Sequence, residues 1–141
     1  MKIRTIKESD HGVISDLLSQ LGYPDTERFI KEKIRILLEN PNEYLVVIEN
    51  ENEQVFGFIS VHIIPQIALE GDFARISYFA VDENYRSLGA GKILEEYCTK
   101  IAKERNCDRI EVHCHTRREK AHLFYYRQGY EESPKYLMKK L

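Results

Sequence analysis

The segment Asn84-Tyr85-Arg86-Ser87-Leu88-Gly89-Ala90-Gly91-Lys92 joins a strand-like run to the most regular helical pattern in the chain. Free N–H groups at a helix start, together with the helix dipole, favour an anion. Gly89 and Gly91 carry no Cβ, so a phosphate can approach the backbone, and Arg86 and Lys92 add positive charge. Two glycines at such a junction are equally consistent with a plain structural turn. Two phosphate-binding patterns are excluded by position. A Walker loop ending at Gly91-Lys92 requires Gly at 86 and Ser or Thr at 93, where Arg86 and Ile93 stand. A dinucleotide fingerprint starting at Gly89 requires a small residue at 94, where Leu94 stands. The expected ligand is thus neither a nucleoside triphosphate held in that style nor NAD.

Other residues invite chemistry less strongly. In "VHCH" His113 and His115 share one face of a strand, with His122 beyond, but zinc sites close with three or four ligands, so no metal is expected. Cys114 points to the opposite face, where a buried thiol is the ordinary outcome. The three cysteines, Cys98, Cys107 and Cys114, are too few and odd in number for a disulfide framework, which favours a reducing compartment. A formal charge of -2 and the lack of a basic stripe with spaced aromatics argue against a nucleic-acid partner. "MKIRTIKESD" has no apolar leader core and no later apolar run reaches membrane-spanning length, so the expectation is a cytoplasmic protein without a membrane partner.

The elements that must position these residues follow from periodicity. With 141 residues, 43% apolar and 31% charged, the chain suits one domain with its own core, and no composition break divides residues 1–141. "KIRTI" alternates like a short strand. Asp10 is placed to cap a helix carrying Val13, Ile14, Leu17, Leu18 and Leu21 on one face. "LGYPD" breaks that helix, and Phe29, Ile30, Ile34, Leu37 and Leu38 repeat the pattern. "EYLVVIE" and "QVFGFISVHII" form an expected hairpin, "ARISYFAV" a further strand, and Ile93, Leu94, Tyr97, Cys98, Ile101 and Ala102 the stripe of a helix of about four turns. "DRIEVHCH" is the next strand, "REKAHLFYYRQ" a short helix and "KYLMKKL" a terminal strand. The expectation is an α/β (α+β) fold with a mixed, mostly antiparallel central sheet of six to seven strands flanked by four helices.

On these residues the chain resembles a known family. "VDENYRSLGAGKIL" is similar to the acyl-CoA-binding motif of the GNAT N-acetyltransferase superfamily, Arg/Gln-x-x-Gly-x-Gly/Ala, matched by Arg86, Gly89 and Gly91. "REKAHLFYYRQGY" resembles its later motif, Ala-x-x-Phe-Tyr-x-x-x-Gly-Phe/Tyr, matched by Ala121, Phe124, Tyr125, Gly129 and Tyr130. The order of elements agrees from residue 2 to 140. The resemblance implies that backbone N–H groups of Arg86, Ser87, Leu88, Gly89, Ala90 and Gly91, with Lys92 alongside, hold the pyrophosphate of acetyl-CoA. It also implies that the pantetheine arm pairs like an added strand with Phe79, Ala80 and Val81. Family members often place Asn three residues before the motif's Ala. Arg118 stands there and, with Arg117 and Lys120, would meet a CoA phosphate or form a solvated basic helix end.

Amide formation from a thioester needs a neutral amine, a stabilised oxyanion and a leaving thiolate. An alkyl amine of pKa about 10.4 is neutral in roughly one molecule in two thousand at pH 7, so a base or water chain must take its proton. The resemblance implies an oxyanion contact from a strand N–H around Val81. It also makes Tyr125 the proton donor to sulfur; the alternative is a core tyrosine packed beside Phe124 and Tyr126. Transfer from a phenol of pKa near 10 to a thiolate of pKa about 8.5 is uphill by roughly 2 kcal/mol, so a hydrogen bond to the thiolate, or a lowered Tyr125 pKa, is the better description. Relatives commonly carry an acid in mid-strand, where this chain has Ser77 and Tyr78; Glu70, Asp72, Glu111, His113 or water remain as substitutes. By resemblance "LGYPDTERF", with Tyr23 and Glu27, and "IIPQIALEGDF" wall the acceptor site for a small-molecule or peptide amine. The rival reading is a non-catalytic acyl-CoA-binding or regulatory domain. A homodimer is the base-rate default among oligomers.

Overall fold

The computed structural model describes residues 1–115, 117–133 and 136–141. Five strands form one sheet in sequence order: β1 (Lys2–Thr5), β2 (Glu43–Glu49), β3 (Val55–Ile64), β4 (Asp72–Val81) and β5 (Cys107–Val112). The first four are antiparallel neighbours; β5 runs parallel to β4 because α3 (Ala90–Glu104) carries the chain back along the sheet. Helices α1 (His11–Leu21) and α2 (Ile30–Leu38) cover one face, and α3 with α4 (Glu119–Arg127) the other. Alternation along the strands sorts the core. Leu45, Val47, Phe58 and Ala80 pack with Ile14, Leu17, Leu18 and Ile34 on the α1/α2 face. Val46, Ile59, Val61, Ala74 and Ile76 pack with Leu94, Cys98 and Tyr125 on the α3/α4 face.

Among the described residues the sheet has five strands, not the expected six to seven. Of the expected terminal strand "KYLMKKL", Lys135 lies outside the described residues and residues 136–141 make no sheet pairing. Its apolar side chains fall on both sides of the chain, and Leu137 and Leu141 find nothing to bury against. Asp10 precedes α1 as expected but does not cap it. Its carboxylate turns back to accept the Lys7 N–H at 2.7 Å and the Arg4 Nη1 and Nη2 at 2.9 and 3.0 Å, tying β1 to the turn before α1.

Two irregularities shape β4. Ser60 lies opposite Tyr78 but Val61 opposite Ile76, so Ser77 is an extra residue, a bulge that reverses the face of everything after it. Ile76 and Phe79 therefore both face α3 and α4, while Tyr78 and Ala80 face α1 and α2. On the other edge, pairing with β5 ends at Ile76 opposite Val112. Among the described residues β4 is paired with β3 alone from Tyr78 to Val81, and from Ser77 onward nothing pairs with its β5 side.

Candidate active site

The opening leads to the glycine segment. Asp82 accepts the Asn84 N–H at 2.8 Å, Gln20 of α1 clamps Asp82 and the Glu83 N–H, and the Tyr85 ring stacks on Phe56 at 4.5 Å. These ties fix the approach to α3. Beyond them Ser87 takes φ 69° and Gly89, the residue before α3, takes φ 85°. The consequence is a run of N–H groups, residues 86–92, with no acceptor among the described residues. Gly89 has open space where a Cβ would lie, whereas a Cβ on Gly91 would sit 3.3 Å from the Phe124 ring, so Gly91 also serves helix packing.

Each sequence-derived candidate can be placed on this frame. Phe79 packs edge-on against Phe124 (5.7 Å) and Tyr125 (6.3 Å). Ala80 and Ala90 turn their methyls into the core, leaving only backbone for a ligand. Arg86 reaches the Val81 carbonyl at 3.5 Å, Leu88 is exposed, and Lys92 lies 3.9 Å from Glu96 on the solvent side. Arg118 begins α4, its N–H on the His115 carbonyl at 3.0 Å.

Tyr125 is 8% exposed, flanked by Phe79, Phe124 and Tyr130, and its hydroxyl has no partner among the described residues. Burial, then the neighbouring Cys114, push its pKa up, against the opposing Arg118. The lowered pKa considered from sequence is thus overturned: desolvation keeps the phenol a donor. Tyr130 differs, because its hydroxyl donates to the buried Glu95 at 3.2 Å, which Thr99 also serves at 2.8 Å.

The proposed bases separate. Glu70 lies in the exposed loop before β4, and Asp72 pairs with Cys107 at the far end of β4, about 17 Å along the strand from Ser77. Glu111 is bound by Arg75 at 2.7 Å, and His113 stacks on Tyr136 at 4.2 Å. His115 and His122 are engaged with each other through the His115 carbonyl, and among the described residues no group of three metal-binding side chains converges. Tyr23, at the end of α1, meets Tyr78 edge-on at 5.4 Å and forms an aromatic wall on the α1/α2 face.

Sequence reasoning missed a polar row on that face. Glu43, His62, Arg75 and Glu111 lie opposite one another across β2, β3, β4 and β5. Glu43, almost wholly buried, receives the Ser60 hydroxyl and lies 3.2 Å from His62 Nδ1. Burial raises its pKa, offset in part by the bonds from Ser60 and His62. The available signal was polar Ser60 and His62 at alternate positions inside an otherwise apolar strand.

The chain belongs to the GNAT acetyltransferase family: the family model described as "Acetyltransferase (GNAT) family" matches residues 11–130. The fold is shared with a glucosamine-6-phosphate N-acetyltransferase from Arabidopsis thaliana (23% identity, TM-score 0.84, 99% of this chain and 97% of that one). It is shared too with the aminoglycoside 6'-N-acetyltransferase AAC(6')-IG from Acinetobacter haemolyticus (17%, 0.83, 100% and 99%). A transcriptional regulator from Bacillus halodurans C-125 also has it (21%, 0.89, 99% and 99%). At these identities the likeness is one of fold. Comparison with curated proteins gives no match.

Proposed function

We propose that the protein transfers the acetyl group of acetyl-CoA to a primary amine by direct attack. The observation that carries this reading is the adjacency of two unsatisfied backbone surfaces: the free β4 edge from Ser77 to Val81 and the free N–H groups of residues 86–92. The first suits an extended amide-bearing chain that adds as a strand along Phe79–Val81. The second suits a pyrophosphate, with Arg86 and Lys92 nearby and Arg118 at the start of α4 for a further phosphate. An N–H of the open β4 edge meets the oxyanion as the tetrahedral centre forms. Tyr125 donates a hydrogen bond to the departing sulfur; burial raises its pKa, which favours the protonated phenol this role needs.

The amine preference is supported by the two structural relatives whose names specify N-acetyl transfer. The test is CoA release from acetyl-CoA across primary amines, including amino sugars, polyamines, amino acids and peptides, with the product identified by mass spectrometry. Release with an N-acetylated product is the expected result. Tight CoA binding without release for any amine would instead favour the non-catalytic acyl-CoA-binding domain.

A further inference from the structure

We propose that His62 is the proton acceptor for the attacking amine, working through water, and that Glu43 is the residue that positions it. The inference rests on the acetyl-transfer reading above and supplies the base that reading lacks.

Ser77, where relatives' acid would be sought, is a bulge next to Tyr78, and neither can accept a proton at neutral pH. The row containing His62 lies directly before the point where β4 and β5 part: Arg75 opposite Glu111 is followed by Ile76 opposite Val112, the last pair. His62 stands beside Arg75 on the face opposite α3 and α4, hence opposite the helix whose start would hold the pyrophosphate. An amine arriving over the Tyr23–Tyr78 wall meets this face. His62 lies opposite Arg75, one strand spacing of about 5 Å from β4 and two residues before the open edge begins at Ser77, a separation that a chain of waters would bridge.

The chemistry of the row fits a base. His62 has a side chain 36% exposed, so water reaches it, while the side chain of Glu43 beside it on β2 is only 3% exposed. Glu43 accepts from Nδ1, which leaves Nε2 as the lone-pair nitrogen. Ser60 holds the other carboxylate oxygen. The charged groups facing His62 are Glu43 from β2 and Arg75 from β4, with Glu111 neutralising Arg75 from β5; Leu37 and Leu38 of α2 line the same hollow as Glu43. Arg75 Nε is the one buried side-chain polar atom without a partner among the described residues, so the same row carries an uncompensated donor of the kind found at functional places.

The step balances. The amine nitrogen forms the C–N bond and gives its proton through water to His62. The C–S bond breaks with its electron pair on sulfur, which Tyr125 hydrogen-bonds and which solvent protonates; His62 then returns its proton to solvent.

The experiment measures kcat/KM for CoA release against pH, with the best acceptor from the amine panel, for the wild type, His62→Gln and Glu43→Gln, and CoA affinity for each. The expected result is a wild-type rate that rises with pH through an imidazole-like limb. His62→Gln loses that limb and at least a hundredfold in rate while keeping CoA affinity, and His62→Ala regains rate with added imidazole. Glu43→Gln, which keeps the shape but not the charge, moves the limb to lower pH. A His62→Gln enzyme within threefold of wild type, with the same pH profile, overturns the proposal and leaves acetyl transfer standing. A wild type that releases CoA with no amine overturns the acetyl-transfer reading, and this inference with it.

Discussion

Replacing Tyr125 by Phe separates chemistry from packing at the same side chain. The ring is almost wholly buried against Phe79, Phe124 and Tyr130, and its hydroxyl has no partner among the described residues. The substitution therefore keeps the packed ring, breaks no hydrogen bond there and leaves no group orphaned. Its stability cost should stay within about 0.5 kcal/mol, or about 2 °C in melting temperature for a chain of this size. A hydrogen bond to a charged thiolate is worth about 1.5–3 kcal/mol, so losing it should lower kcat by about 10- to 150-fold. The control is Tyr130→Phe, which deprives the buried Glu95 of one of its two donors and should cost about 1–3 kcal/mol in stability. The assay compares CoA release at saturating acetyl-CoA with melting curves and CoA titrations. Unchanged turnover in Tyr125→Phe, or a melting loss as large as that of Tyr130→Phe, would return Tyr125 to the core and refute its role at sulfur.

Gly89→Ala meets no steric clash but must hold φ 85°. Left-handed strain of about 1–2 kcal/mol, offset by about 0.4–1 from the stiffened unfolded chain, should lower the melting temperature by a few degrees. The new methyl beside the free N–H run should weaken CoA binding at least tenfold, as titration calorimetry would show. For Asp10, burial works against ionisation, but the bonds from Arg4 and the Lys7 N–H prevail and hold its pKa below the ordinary carboxylate value. A depressed pKa gives stability that is complete above the unfolded value near about 3.9 and lost as pH falls through the folded one. Asp10→Asn should thus cost about 1–2 kcal/mol in urea unfolding at pH 7, a cost that shrinks towards zero as pH falls through the folded value. Cys98 lies in the α3/α4 core and burial pushes its thiol up to about 12, so at pH 8 it should react with a disulfide reagent only after denaturation.

What the sequence made legible was what local chemistry specifies. Helix periodicity and strand alternation marked the five strands and four α-helices described, though not the two short 3-10 turns at Glu8–Asp10 and Glu83–Tyr85, and Gly89 and Gly91 flagged the junction because a positive φ and a crowded Phe124 leave local demands on residue type. The Ser77 bulge was not, because an extra residue in β4 is defined only by its register with β3, and it decides which face Tyr78 and Phe79 take. The row Glu43–His62–Arg75–Glu111 assembles from four strands whose outer members stand 68 positions apart in the sequence, which no local pattern encodes. The terminal segment misled because alternation was read without asking what would bury it, and Asp10 because a cap was assumed where Arg4 competed for the carboxylate.

The central claim is that the opened β4 edge and the glycine junction together hold acetyl-CoA. Thermal unfolding with acetyl-CoA, CoA, ATP and NAD, each alone, tests it directly. At a hundred times its dissociation constant a ligand stabilises by about 2.7 kcal/mol, a shift of several degrees here. The account predicts that shift with acetyl-CoA and CoA and none with ATP or NAD. Folded protein whose melting does not respond to either CoA species would contradict it.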